Sequence, residues 1–116
     1  MFANFREKIA RAEQCIDIAI ALSSRACIDA RVLQGALTLM RQEVEQINHS
    51  AMKAGHSNDL EYAMKVLETN NRSILDFRLH EMAVSSNNRK EAIYAVDQAH
   101  HATSQLIDSL RVHLHH

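Results

Sequence analysis

The sequence predicts an all-α protein, an antiparallel (up-down) four-helix bundle, on three observations. The chain of 116 residues contains no proline and two glycines, so it has few of the residues that end helices or form tight turns. Aromatic residues make up 4% of it, which leaves aliphatic side chains suited to close helix packing. Apolar residues also recur at steps of three and four, the spacing of a helix face that packs against other helices.

The first half of the chain carries the longest apolar stripe. It advances in steps of three and four, with Ser23 as its one polar member, and this 3.5-residue repeat is typical of the seam of a coiled coil or helix bundle. The stripe comprises Phe2, Phe5, Ile9, Ala12, Ile16, Ala19, Ser23, Ala26, Ala30, Leu33, Leu37, Met40, Val44, Ile47, Ala51 and Ala54.

A second apolar side is present in the first segment. Ile18, Ile20 and Leu22 lie outside the stripe. Apolar residues on two sides of a helix indicate neighbours on both. We therefore expect this part of the first helix to be nearly surrounded by protein.

The Ser23–Ser24 pair is the predicted first turn, and it leaves two architectures open. If the chain turns there, one domain of four helices follows, at roughly residues 2–22, 25–54, 59–84 and 88–113. If it does not, residues 2–54 form one helix of about 80 Å, and the chain is a long helical hairpin that completes its core by dimerisation. The even spacing of the turn signals favours the compact bundle.

Clearer signals mark the other two turns. Gly55 is suited to end the second helix, and Ser57 is suited to cap the third. The run Ser85-Ser86-Asn87-Asn88 marks the last turn, and Asn88 with Glu91 has the spacing of a capping box.

Polar residues occur within the apolar stripes of the last two helices. Asn70 and Asn71 interrupt the third helix, where we expect the register of the stripe to shift, and His100 falls on the stripe of the fourth, where we expect a partly buried, hydrogen-bonded histidine. The stripes comprise Leu60, Met64, Leu67, Ile74, Leu75, Leu79 and Met82, and then Ile93, Val96, His100, Thr103, Ile107, Leu110 and Leu114.

Charge and cysteine content indicate a cytoplasmic protein without nucleic-acid or membrane partners. The formal net charge is −1, which provides no field to attract nucleic acid or an anionic membrane. The longest apolar run, Ile18 to Leu22, is far shorter than a membrane span, and the first residues lack the pattern of a secretory leader. Cys15 and Cys27, if on one helix, lie about 18 Å apart, too far for a disulfide, so we expect reduced thiols.

Three carboxylate–histidine pairs have the four-residue spacing that places both side chains on one helix face, as a metal site requires. The first two pairs lie about 18 Å apart along the folded bundle, and the first is on an outer face, so we predict exposed ion pairs and no metal site. The chain end, His113-Leu114-His115-His116, is expected to be an exposed polar terminus. The pairs are Glu45 and His49, Asp76 and His80, and Asp97 and His101.

His49 is the one candidate phosphoacceptor. The run His49-Ser-Ala-Met-Lys53-Ala-Gly55, followed by residues 63–68, resembles the phosphorylated segment of histidine phosphotransfer domains. These domains are four-helix bundles with an exposed helical histidine followed by lysine and glycine. The family places its lysine three residues after the histidine and the glycine next to the lysine, whereas Lys53 is four residues on and Gly55 two further. The resemblance implies phosphoryl transfer through His49.

The apolar stripes leave no polar pocket for catalysis, and the chain has no nucleophile elbow, phosphate-binding glycine loop or Cys-x-x-Cys pair. We therefore predict no catalytic residues and no cofactor. Extended helical surfaces are typical of proteins that bind proteins. We predict a small non-enzymatic adaptor, chaperone or regulator that forms a homodimer; in length and composition the chain resembles small helical export chaperones of bacterial secretion and flagellar systems. Phosphotransfer through His49 and a metal-binding bundle are the alternatives.

Overall fold

The computed structural model describes residues 2–25, 31–51, 57–81 and 87–114, and among them the side chains of residues 5–25, 31–49, 59–76 and 89–114. All of this described part is α-helical, which confirms the predicted fold class. The helices are α1 (Phe2–Arg25), α2 (Arg31–Ala51), α3 (Ser57–Glu81) and α4 (Asn87–Leu114).

Each helix packs against two neighbours, so the four follow one another around a compact bundle. α1 contacts α2 and α4, and α3 contacts the same two helices. α1 and α4 are antiparallel, because Lys8 near the start of α1 donates a 2.7 Å hydrogen bond to Ser109 near the end of α4. Since α1 ends before α2 begins and the two pack side by side, the compact bundle is confirmed and the long helical hairpin is wrong.

Ser23 and Ser24 lie within α1, so the first turn predicted at this pair is misplaced. α1 continues to Arg25 and α2 begins at Arg31. Ser23 is completely buried and takes the next position of the apolar stripe. The weak helix preference of serine costs only a few tenths of a kcal/mol, which is less than burial of the stripe on either side of it contributes.

The stripe predicted for the first half of the chain forms the core face of α1 and α2. Its described members between residues 9 and 47 are all at most 3% exposed, which confirms the heptad spacing as the core signal in both helices. These residues are Ile9, Ala12, Ile16, Ala19, Ser23, Leu33, Leu37, Met40, Val44 and Ile47.

Asn71 continues the buried stripe of α3, so the predicted shift of register is wrong. It is 5% exposed and stands four residues after Leu67 and three before Ile74, both completely buried. The Asn71 amide donates a hydrogen bond to Ser104 of α4, which offsets much of the cost of burying it. Asn70 instead bonds the Val66 carbonyl of its own helix.

α4 contributes a second buried stripe that the sequence analysis did not single out. It consists of alanines, which are at most 4% exposed and lie beside the buried members of the predicted stripe. Short side chains allow neighbouring helices to approach closely. The alanines are Ala92, Ala95, Ala99 and Ala102, and the buried members of the predicted stripe are Val96, Thr103, Ile107 and Leu110.

The predicted helix caps fall at the edge of the described part of the chain. α3 begins at Ser57 and α4 at Asn87, within a residue or two of the predicted starts, which is the usual uncertainty of helix ends. Gly55 and the side chains of Ser57 and Asn88 lie outside the described residues.

Candidate functional site

An open groove runs along the surface between α1 and α4, and we refer to it as the α1–α4 groove. The volume of this groove is about 530 Å³. The two antiparallel helices bring together side chains that recur one turn apart along their facing edges. The groove is lined by Cys15, Ile18 and Leu22 of α1 and by Lys90, Glu91, Tyr94, Ala95 and Gln98 of α4.

The surface of the groove is almost entirely apolar, and two charged residues lie at one of its ends. Ile18 is 45% exposed and Tyr94 is 66% exposed, so two large side chains stand at its surface. Lys90 and Glu91, in the first turns of α4, place opposite charges at one end. This arrangement suits the apolar face of another protein segment more than a small polar substrate, which needs several polar groups directed at one point.

The exposure of Ile18 contradicts the expectation that this part of α1 is nearly surrounded by protein. Ile20 and Leu22 are half-buried against the core, which agrees in part with this expectation. Ile18 is exposed, which does not. Ala95 of α4, which has a short side chain, also lines this groove, and Ile18 remains 45% exposed. The second apolar side of α1 is therefore open to solvent at Ile18, whereas Ile20 and Leu22 are partly covered.

Four other large apolar side chains are exposed in the described part of the chain, and none of them lines the α1–α4 groove. Single exposed apolar residues are ordinary on protein surfaces. Ile18 and Tyr94 differ because they share one concave surface. The other four residues are Val32, Leu39, Tyr62 and Val112.

His49, the candidate phosphoacceptor, lies exposed in the last turn of α2. Its predicted partner Glu45 is also exposed, and within the described residues no ion pair joins the two. Lys53 and Gly55, on which the resemblance to phosphotransfer domains also depends, lie outside the described part. The role of His49 stays a prediction.

Of the other two acid–histidine pairs, one is formed. The His101 Nε2 atom lies 3.6 Å from Asp97 Oδ1, and His101 is largely exposed, so this pair is the surface contact that the spacing predicted. The side chain of His80 lies outside the described residues. Within the described part of the chain, no three histidine, cysteine, aspartate or glutamate side chains gather closely enough to hold a metal ion.

The remaining histidines named by the sequence contact neighbouring side chains and backbone. His100 is half-buried on α4, as predicted, with its Nδ1 atom 3.3 Å from the Asn71 carbonyl oxygen. The exposed ring of His113 lies 6.0 Å from that of Phe5, centroid to centroid, where α4 ends beside the start of α1. His115 and His116 are outside the described part.

Arg41 joins α2 to α1 through two carboxylates. Its Nε donates a 2.8 Å hydrogen bond to Asp17, and its Nη1 lies 3.6 Å from Glu13. Burial lowers the pKa of Arg41, but the Asp17 hydrogen bond and the charges of Asp17, Glu13 and Glu45 together raise the pKa above its ordinary value. These charges are engaged in holding two helices together, so we assign them a structural role.

Comparisons with models of known protein families, with curated proteins and with solved structures returned no match for this chain. None of the described helices is both long enough and apolar enough to cross a membrane. The α1–α4 groove is therefore assigned as the candidate site on geometry and chemistry alone.

The apolar stripe predicted for the fourth helix does not include the α4 side of this groove. Tyr94, Ala95 and Gln98 stand beside the predicted stripe and were not singled out. The signal was available in the alanines at 92, 95, 99 and 102, which repeat in steps of three and four. A face of small residues lets α1 approach α4 closely and leaves the larger neighbouring side chains at the surface.

Proposed function

We propose that this protein acts by binding protein chains, as a small helical adaptor, chaperone or regulator, and that the α1–α4 groove is its docking surface. The observation that carries the proposal is the second apolar side of α1, which the single chain leaves open at Ile18. An apolar helix face beside an exposed tyrosine is the kind of surface that takes the apolar face of a partner helix. Tyrosine is also enriched among the residues that dominate binding energies at interfaces.

The occupant that we propose is a second copy of the chain. In a two-fold dimer the same surface patch is used by both subunits, so it must be complementary to itself. We take the α1–α4 groove as this patch, because it brings the exposed side chains of Ile18 and Tyr94 together with the half-buried Leu22. Lys90 and Glu91 carry opposite charges, so a second copy adds no uniform like charge to the groove.

The size of the groove favours a reversible dimer. Full burial of a large apolar side chain contributes about 1.5–3 kcal/mol, and Ile18 and Tyr94 are each part-exposed in both copies. Association costs roughly 4–15 kcal/mol in lost translational and rotational freedom. Burial of these two side chains thus offsets only part of the association cost, so contacts around the groove must supply the rest, and we expect a weak dimer that dissociates on dilution.

The proposal is tested by sedimentation velocity of the full chain over a range of concentrations. We expect the mass to rise from the 13.2 kDa of one chain toward twice that value. Ile18→Lys and Tyr94→Lys place a charge in the groove and should each raise the dissociation constant by at least about tenfold. Leu39→Lys and Tyr62→Lys are the matched controls, because these residues are 48% and 67% exposed and lie outside the groove.

The result that would contradict self-association is a mass of 13.2 kDa at every concentration. A dimer that the control substitutions weaken as much as the groove substitutions would contradict the assignment of the groove.

Phosphotransfer through His49 is the second candidate, supported by the exposure of this side chain on a helix of the bundle. The test is incubation with a radiolabelled phosphodonor, comparing the wild type with His49→Gln and with His101→Gln as control. Acid-labile label that is lost only in His49→Gln supports this candidate. Absence of label, or label that persists in His49→Gln, removes it.

A further inference from the structure

A polar cluster joins α3 to α4 within the bundle, and we call it the Asn71 cluster. Asn71 Nδ2 donates to Ser104 Oγ at 3.0 Å and lies 3.4 Å from the His100 carbonyl oxygen. Ser104 Oγ in turn donates to that same carbonyl at 2.9 Å. In the opposite direction, His100 Nδ1 lies 3.3 Å from the Asn71 carbonyl oxygen. Because a carbonyl only accepts, Nδ1 carries the proton in this contact.

The hydrogen bonds of the cluster are reciprocal. Asn71 on α3 donates to the backbone of α4, and His100 on α4 donates to the backbone of α3. Rotating the Asn71 amide by half a turn would bring its oxygen against the His100 carbonyl, so the network fixes the orientation of the amide. Asn71 and His100 therefore join the two helices by bonds that run both ways, and a separate 2.8 Å bond from Arg111 to Glu68 joins the same two helices.

The cluster is a costly way to stabilise a bundle. Asn71 is 5% exposed and occupies a position on the apolar stripe of α3. Its Oδ1 atom is buried and has no hydrogen-bond partner among the described residues, and the same holds for Thr103 Oγ1 on α4. A buried polar atom without a partner loses its hydration and gains nothing in return. An apolar residue of similar size at position 71 would avoid this loss.

We propose that the Asn71 cluster fixes the register of α3 against α4, at a cost in stability. The other buried residues of α3 are all aliphatic and recur in steps of three and four, so apolar contact alone distinguishes poorly between alignments. They are Leu60, Ala63, Leu67 and Ile74. A slide of one turn would break the present bonds of Asn71 to Ser104 and to the His100 carbonyl, because it would bring residues 96 and 100, or 104 and 108, to the place of His100 and Ser104. A single buried asparagine is known to select register in coiled coils in this way.

The test measures the register directly by pulsed electron paramagnetic resonance. Spin labels are attached at Glu61→Cys on α3 and Gln105→Cys on α4, both exposed positions, after Cys15→Ala and Cys27→Ala remove the native thiols. Labelled protein is diluted with unlabelled protein, so that only distances within one chain contribute. We expect one narrow distance in this parent protein.

Asn71→Leu removes the cluster while it keeps a side chain of similar size. We expect a second distance to appear, displaced by an axial slide of about one turn, roughly 5.4 Å, with a melting temperature equal to or above that of the parent. Asn70→Leu is the matched control and should keep the single distance, because among the described residues the Asn70 amide bonds the Val66 carbonyl of its own helix and no residue of α4. Ser104→Ala, which removes the middle link, should broaden the distribution.

Two outcomes would overturn the proposal. One is an Asn71→Leu protein that keeps the single distance of the parent. The other is an Asn71→Leu protein that melts below the parent or loses its helical circular dichroism, because the cluster would then be needed for stability instead of register.

Discussion

At the residue scale, the described core departs from a simple apolar seam at three buried polar side chains, Ser23, Asn71 and Thr103. Each occupies a position that the spacing of three and four assigns to the core. Their burial follows from helix geometry, which fixes where a side chain points before its polarity matters. The sequence analysis placed Ser23 and Thr103 on the stripes but took Asn71 as an interruption. Polarity is thus a weaker guide to burial in this chain than position.

Ser23→Ala is expected to stabilise the protein. Ser23 is completely buried, and its hydroxyl has no hydrogen-bond partner among the described residues. Removing this unpaired buried hydroxyl should raise the free energy of unfolding by about 1 kcal/mol or more. Ser24→Ala is the control, because Ser24 is exposed. This substitution should raise the free energy of unfolding only through the higher helix propensity of alanine, by at most about 0.7 kcal/mol. Urea denaturation of both variants measures the difference; equal gains would show that the Ser23 hydroxyl is paired.

At the element scale, the apolar stripes predicted the core faces of the helices better than the turn signals predicted where helices end. The steps of three and four from Ile9 to Ile47 reflect burial, which acts along the whole helix. A helix end depends on a few residues, and the first turn has neither glycine nor proline. Residues 26–30, between α1 and α2, include one residue of a type favoured at helix N-caps, Asp29. One such residue is a weaker signal than the serine pair that precedes it.

Gly35→Ala is expected to stabilise α2. Gly35 lies exposed within the helix, and a Cβ atom added there would meet no atom within 4 Å. Alanine loses less backbone entropy on folding than glycine, so the free energy of unfolding should rise by about 0.5–1 kcal/mol. Thermal denaturation followed by circular dichroism checks this; a lower melting temperature would mean that position 35 contacts something that the single chain does not contain.

Arg41→Gln is expected to lower the free energy of unfolding, because it removes the ion pairs of Arg41 with Asp17 and Glu13 between α1 and α2. The loss should be about 0.2–1 kcal/mol, because these pairs are partly exposed. Lys65→Gln is the control, since among the described residues Lys65 pairs only with Glu61, at 3.9 Å and on the exposed face of the same helix. Denaturant unfolding at low and high salt measures both variants. A loss for Arg41→Gln that does not shrink in high salt would contradict an electrostatic role.

The raised pKa of Arg41 sets the sign of the pH dependence. A group whose pKa is higher in the folded protein than in the unfolded chain stabilises the fold fully below the unfolded-state pKa. That contribution is lost only as the pH rises through the folded-state pKa. For an arginine this window is strongly alkaline, so titration of Arg41 itself should leave stability unchanged around neutral pH.

At the scale of the whole molecule, the groove could not be predicted from the sequence because it depends on how two distant segments meet. The apolar side of α1 at Ile18 was visible as a pattern, and burial was the natural expectation. Only the packing of α1 against the alanine face of α4 leaves Ile18 and Tyr94 together at the surface. With a formal net charge of −1, the chain has little overall repulsion to keep two copies apart.

Photo-crosslinking from inside the α1–α4 groove tests most directly whether a second copy of the chain covers it. A photoreactive phenylalanine analogue replaces Ile18, and a second sample carries it at Leu39, which has similar exposure on α2. After irradiation, we expect a product of twice the chain mass from position 18 alone, with the crosslink mapping to α1 or α4 of the second copy. No such product at position 18, or an equal yield from position 39, would contradict the central claim that a second copy covers the α1–α4 groove.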